Sequence, residues 1–228
     1  KGDYPKAEDL YGCALCIREE IYASDHPMVL ATKNNIAQVY ASEERYGEAI
    51  SLFETVIREY RENSTEDSAF LATVYDNLST AYREMERYED AIDICTEGLN
   101  IRKDIYGKRS LDYAISLNNL ALIYYEMGIL NDAADIFSEA LAIKKETLPE
   151  IHGQISIGYF NLGLVYDKLH RDNEALENYR ASMEIDNELE AYEDVLLTAE
   201  YIAEIYERND MPEDAEAYRT LCSKDDVH

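Results

Sequence analysis

A block of seven residues returns along this chain at a nearly constant step. It reads Asn-Asn-Ile-Ala-Gln-Val-Tyr at 34–40, Asp-Asn-Leu-Ser-Thr-Ala-Tyr at 76–82 and Asn-Asn-Leu-Ala-Leu-Ile-Tyr at 118–124. It continues as Phe-Asn-Leu-Gly-Leu-Val-Tyr at 160–166 and Glu-Tyr-Ile-Ala-Glu-Ile-Tyr at 200–206, so the steps are 42, 42, 42 and 40 residues. An alanine ladder, Ala7, Ala49, Ala91, Ala133, Ala175 and Ala215, has the same period and the same late loss of two residues. Two ladders in one register mark a chain built from stacked repeats, each a unit that cannot bury its apolar face alone.

Each period holds two helical stretches. Val29, Ile36, Val39 and Tyr40 fall on one helical face, as do Ala49, Ile50, Phe53, Val56 and Ile57,. Ser42-Glu43-Glu44-Arg45 is a short polar turn between them, and Ala23-Ser24-Asp25-His26-Pro27 breaks one helix and can cap the next,. Four prolines and nine glycines in 228 residues are too few for a turn-rich all-β chain,. The expectation is an all-α chain of about eleven helices. Residues 1–24 supply the second helix of a truncated repeat, and pairs follow at 25–66, 67–108, 109–150, 151–190 and 191–228, all in one domain. In that register the chain begins inside a repeat, and Leu10, Tyr11 and Ile17 lose part of their cover. Ala37, Ser79, Ala121, Gly163 and Ala203 are small where helices must approach closely. Tyr40, Tyr82, Tyr124, Tyr166 and Tyr206 follow three residues later, suited to the seam between helices,.

This pattern resembles the tetratricopeptide repeat: a small residue, Tyr three later, a turn, then Ala with an aromatic four beyond. The 42-residue unit is similar to the repeats of kinesin light chains and their bacterial relatives. Asp25-His26-Pro27-Met28-Val29 before Asn34-Asn35-Ile36-Ala37 carries that likeness, as does Asp112-Tyr113-Ala114 before Leu117-Asn118-Asn119-Leu120-Ala121. The chain departs from it at Asp172, where Tyr4, Tyr46 and Tyr88 place an aromatic, and at Tyr201, where the other units carry Asn. The resemblance implies a right-handed α-solenoid.

Candidate chemistry is sparse. Cys13 and Cys16 form a C-x-x-C inside a predicted helix, without the strand-to-helix context of a redox motif or the further ligands of a zinc site,. They read as buried or half-buried structural thiols, and none of the four cysteines, Cys13, Cys16, Cys95 and Cys222, is expected to bind metal or form an intrachain disulfide. No nucleophile elbow or phosphate-cradling glycine loop occurs, and carboxylates such as Glu43, Glu44, Glu86, Glu89 and Asp90 read as a solvated face,. The expectation is a protein that is not an enzyme and needs no cofactor. A formal charge of −27 opposes nucleic-acid binding and docking on an anionic membrane,. No apolar run is long enough to span a bilayer and no signal peptide opens the chain, which fits a cytoplasmic protein.

The resemblance implies a peptide groove lined by the first helix of each pair. Its positions are Asn34, Asn35, Gln38, Asn77, Thr80, Arg83, Asn118, Asn119, Leu122, Tyr125, Phe160, Asn161, Leu164 and Lys168. Asn is a poor helix-interior residue, yet Asn35, Asn77, Asn119 and Asn161 recur at 42,. In related repeats it pairs with a bound peptide's backbone; the alternative is a bond to a neighbouring helix. Leu122, Tyr125, Phe160 and Leu164 are the candidate apolar anchors. Asp76, Glu84, Glu126, Asp167, Glu200, Glu204 and Glu207 face Arg83, Lys168 and Arg208, seven acids against three bases, which favours a neutral or basic segment,. The expected function is a protein-interaction scaffold; the alternative is a sensor or oligomerisation module of a larger signalling or regulatory protein.

Overall fold

A computed structural model of the chain describes residues 3–63 and 68–222. It divides into two compact units, residues 1–108 and 109–228. The first holds α1 (Tyr4–Ile21), α2 (Pro27–Ser42), α3 (Tyr46–Asn63), α4 (Ala69–Glu84) and α5 (Tyr88–Tyr106). The second holds α6 (Leu111–Glu126), α7 (Leu130–Thr147), α8 (Gly153–Lys168), α9 (Asp172–Glu188), α10 (Tyr192–Arg208) and α11 (Pro212–Cys222). The described residues contain no strand. Each unit is all-α, a stack of helix hairpins in which every helix packs on the one before and the one after it.

The helix starts form a third ladder. His26, Ser68, Ser110 and His152, again 42 apart, are the N-caps of α2, α4, α6 and α8. Ser68 and Ser110 Oγ accept from Leu71 and Tyr113 N–H at 3.2 Å. His26 and His152 Nδ1 accept from Met28 and Gln154 N–H at 3.2 and 3.1 Å. Each cap satisfies a donor that the first helical turn leaves without an intrahelical partner.

The turns inside each pair are built alike. Glu44, Glu86, Gly128, His170 and Asp210 have φ between 55° and 77°. The following N–H returns to the ladder tyrosine's carbonyl: Arg45 to Tyr40, Arg87 to Tyr82, Ile129 to Tyr124 and Arg171 to Tyr166 at 2.9 Å, and Met211 to Tyr206 at 3.0 Å. This is the Schellman arrangement, which closes a helix through one left-handed residue. Only Gly128 occupies that conformation without a Cβ penalty. Where the next residue is arginine, its guanidinium lies over the tyrosine ring, at 4.1 Å for Arg45–Tyr40, 4.4 Å for Arg87–Tyr82 and 4.7 Å for Arg171–Tyr166. The ladder tyrosine thus packs the seam and holds the turn. Glu190 (φ 57°) makes a sixth such turn between α9 and α10, with Ala191 N–H on Asp186 O at 2.9 Å. A three-residue turn there accounts for the missing two residues of the last repeat.

The core runs along the hairpin seams. Phe53, Phe137 and Tyr179 occupy one register position of the second helices and are at most 2 % exposed, and the alanine ladder from Ala49 to Ala215 is equally covered. Burying each large side chain is worth about 1.5–3 kcal/mol. On α1, Leu10, Ile17 and Ile21 are 63 %, 59 % and 65 % exposed.

Charges also enter the seams. Lys33, on α2, donates to Glu59 of α3 at 3.0 and 3.1 Å. Arg102, on α5, pairs with Asp76 of α4 at 2.6 Å, both buried. Lys144 stands at the register position of Arg102 and is 1 % exposed, but Asp76 gives way to Asn118 one repeat on. Its ammonium has no ion-pair partner among the described residues, and burial pushes it down to about 8. An unfolded lysine stays protonated to about pH 10.4. Between those values the unfolded state holds more protons, so the penalty is full below pH 8 and fades as pH rises towards 10. Lys144→Met should therefore be more stable than the parent at pH 7, by on the order of 1–3 kcal/mol. Denaturant unfolding at stepped pH should show that gap closing between pH 8 and 10; a constant gap would contradict the assignment.

Candidate functional site

Consecutive first helices lie side by side within each unit, and the contacts between them repeat at one offset. In the first unit Asn77 Nδ2 donates to Asn34 Oδ1 at 3.2 Å. In the second, Asn161 Nδ2 donates to Asn118 Oδ1 at 3.1 Å. Both pairs are 43 residues apart, as are Tyr125 and Lys168, whose Nζ lies 4.5 Å from the ring centroid. Arg208 reaches Asp167 at 2.8 Å, the same register after the two-residue deletion. Each unit therefore presents a face of first helices, α2 and α4 in one and α6, α8 and α10 in the other.

On these two faces Gln38, Thr80 and Lys168 are exposed, Asn34 and Asn161 are buried, and the other candidate residues are half-buried. The asparagine ladder therefore divides. Asn77 and Asn161 spend an N–H on the preceding repeat, the neighbouring-helix alternative, while Asn35 and Asn119 have no side-chain hydrogen bond among the described residues. Leu122 and Tyr125 pack against the α6–α8 core, and Phe160 and Leu164 against the α9–α11 core, each with part of its surface open.

Two expectations need correction. Asp76 does not line the face: it is turned into the α4–α5 seam onto Arg102, leaving six acids against three bases. The bases are also engaged, Arg83 by Glu84 and Arg208 by Asp167 and Asp172, whereas exposed Glu200 and Glu204 have no ion-pair partner among the described residues. Secondly, Cys13 and Cys16 are exposed on α1 rather than buried. The register already held that signal, because the matching positions are mostly polar: Thr55, Glu97, Glu139 and Ala181, and Arg58, Asn100, Ala142 and Glu184. Cys95 is buried, and desolvation pushes its thiol up to about 12. The side chain of Cys222 lies outside the described residues.

Asp172, the departure at the turn, accepts from Asn209 at 2.6 Å and pairs with Arg208 at 2.5 Å, which together hold its carboxyl below the usual range. It ties the start of α9 to the end of α10.

A group that the ladder reading missed lies on the second unit's face. Phe160, Tyr179 and Tyr201 form a three-ring cluster with centroids 5.6 Å (Phe160–Tyr179), 5.4 Å (Phe160–Tyr201) and 5.5 Å (Tyr179–Tyr201) apart. Tyr179 comes from the second helix α9 and packs, fully buried, against Phe160 and Tyr201, where Gly163 leaves room: a Cβ there would stand 2.5 Å from Tyr179 ring carbons. Elsewhere this register pairs Ala37 with Phe53, Ser79 with Cys95 and Ala121 with Phe137. Gly163→Ala should cost about 1–3 kcal/mol of unfolding free energy through overpacking. In a Tyr179→Cys background, the combination resembling the second pair, the same substitution should cost little. A full penalty in that background would contradict this packing.

The tetratricopeptide repeat profile matches residues 1–62 and 70–146, and a second tetratricopeptide repeat profile matches 158–189. No curated protein sequence matches the chain. Among solved structures, BtubC (BKLC) from P. vanneervenii is 18 % identical with a TM-score of 0.84, covering 100 % of this chain and 94 % of its own. The tetratricopeptide-like repeats of a putative kinesin light chain from Podosopora anserina are 19 % identical with a TM-score of 0.75, over 89 % of this chain and 99 % of theirs. The Rap conjugation gene regulator of plasmid pLS20, in complex with the Phr* peptide, is 18 % identical with a TM-score of 0.68. That match covers 86 % of this chain and 53 % of the regulator, so the chain spans about half its length. At these identities the likeness is one of fold.

Proposed function

The chain belongs to the tetratricopeptide-repeat family, a family of protein-interaction scaffolds, and from that premise we propose that its first-helix face binds an extended or helical segment of another protein. The observation that carries this reading is the division of the asparagine ladder. Two asparagines hold neighbouring first helices together, while Asn35 and Asn119 keep both amide groups available at half-buried positions. A side-chain amide pairs with a peptide backbone as both donor and acceptor, which suits recognition of a main chain. The Rap regulator of the same fold is solved with the Phr* peptide, which supports peptide binding as the mode.

Leu122, Tyr125, Phe160 and Leu164 are the apolar anchors, and the anchored segment is neutral or basic. Six acids against three bases on the first-helix faces of the two units and a chain charge of −27 favour it, and long-range attraction speeds its encounter at low salt,. This is a binding protein rather than an enzyme, with neither nucleic acid nor membrane as its partner, and the cytoplasm is its proposed compartment. No helix among the described residues is long and apolar enough to cross a membrane.

A partner captured by the intact chain provides the test. Asn35→Ala combined with Asn119→Ala should weaken it by about fivefold or more, since each lost bond is worth about 0.5–1.5 kcal/mol. Helix content by circular dichroism should hold. An unchanged affinity, or a partner segment that proves strongly acidic, would contradict the assignment of this face.

A further inference from the structure

Apart from Asp172, four departures from the repeat pattern in the second unit lie together. Phe160 stands where other first helices carry Asn34, Asp76 and Asn118. Tyr201 replaces the ladder asparagine, Gly163 the small residue with a Cβ, and Tyr179 the Phe or Cys of the other pairs. Independent drift would scatter such departures, whereas here they make one ring cluster seated over one glycine. Local rule-breaking that converges in space is expected at functional sites.

The cluster is fitted for positive charge. Aromatic faces attract ammonium and guanidinium groups, and a lysine of this chain already occupies one: Lys168 Nζ lies 4.5 Å from the Tyr125 ring centroid. Asp167 and Glu204 act electrostatically on the Tyr179 phenol, as do Tyr125 and Tyr201. The Tyr179 hydroxyl is the one buried side-chain polar atom without a hydrogen-bond partner among the described residues, and its residue is 0 % exposed. A hydroxyl left without a partner in this way carries an uncompensated desolvation cost. A packing role alone would be served by phenylalanine, which Phe53 and Phe137 supply at the same register.

We propose that the half-buried rings of Phe160 and Tyr201, seated on the buried Tyr179, form with Tyr125 and Glu204 the subsite that takes a lysine or arginine side chain of the bound segment. This rests on the first-helix face being the binding face. The incoming cation displaces Lys168 from the Tyr125 ring, so Lys168 acts as an internal competitor.

The probes are four capped pentapeptides, alanine throughout except for a central Arg, Lys, norleucine or Glu. Each is titrated into the full chain carrying ring-labelled tyrosine, followed by NMR. The Arg and Lys peptides should shift the Tyr125 and Tyr201 ring signals, and the norleucine and Glu peptides should not. Lys168→Ala should tighten the Arg peptide by about two- to fivefold, the factor expected when one exposed cation–ring contact stops competing. Lys103→Ala, an equal charge change on α5, controls for general electrostatics and should tighten it less. Glu204→Gln, at an exposed position, should weaken it. Norleucine binding as well as arginine, shifts confined to other tyrosines, no shift with any peptide, or equal effects of Lys168→Ala and Lys103→Ala would each overturn the subsite. The binding face is judged separately, by the Asn35 and Asn119 variants against a captured partner.

Discussion

No helix in this chain can bury its apolar stripe by itself, and the rest of the structure depends on how two helices are brought close enough to do it together. The close approach rests on small residues, Ala37, Ser79, Ala121, Gly163 and Ala203 on the first helices and the alanine ladder on the second. The turn that fixes the hairpin is tied to the same seam. The tyrosine three residues after the small one lends its carbonyl to the Schellman bond and, in three pairs, its ring to the arginine of the turn. Packing and turn geometry therefore share one residue, and the tyrosine ladder is preserved through the two-residue deletion that reshapes the α9–α10 connection.

A stack made this way needs little from its first-helix face. The apolar work is done in the hairpin seams, where Phe53, Phe137 and Tyr179 are buried, so the surface between consecutive first helices can carry polar groups. Asparagine is tolerated there because it bonds across to the neighbouring repeat, as Asn77 and Asn161 do, and the same geometry leaves Asn35 and Asn119 with amides to offer.

The helices, their pairing and the small–tyrosine seam were legible in the sequence because they repeat, and a period is visible without coordinates. The partners of individual side chains were not. Asp76 sits in the same block as the candidate groove residues, but a single buried arginine, Arg102, turns it into the seam. The cap ladder of His26, Ser68, Ser110 and His152 mixes two residue types, so no single-letter pattern exposes it, although the 42-residue step was there to be found. The left-handed residues Glu44, Glu86, His170 and Asp210 carry no glycine signal, since the hairpin imposes their conformation. The aromatic cluster was visible only as scattered departures, because its members come from α8, α9 and α10 and meet only in the fold.

The central claim is that the first-helix face does the binding. Photo-cross-linking from p-benzoylphenylalanine tests it most directly, placed one position at a time at the exposed first-helix residues Gln38, Thr80 and Lys168 and at the exposed second-helix residues Ser51, Thr96 and Glu177. With a captured partner present, covalent adducts should form from the first three positions and not from the last three. Adducts from Ser51, Thr96 and Glu177 alone would place the partner on the other face and contradict the account.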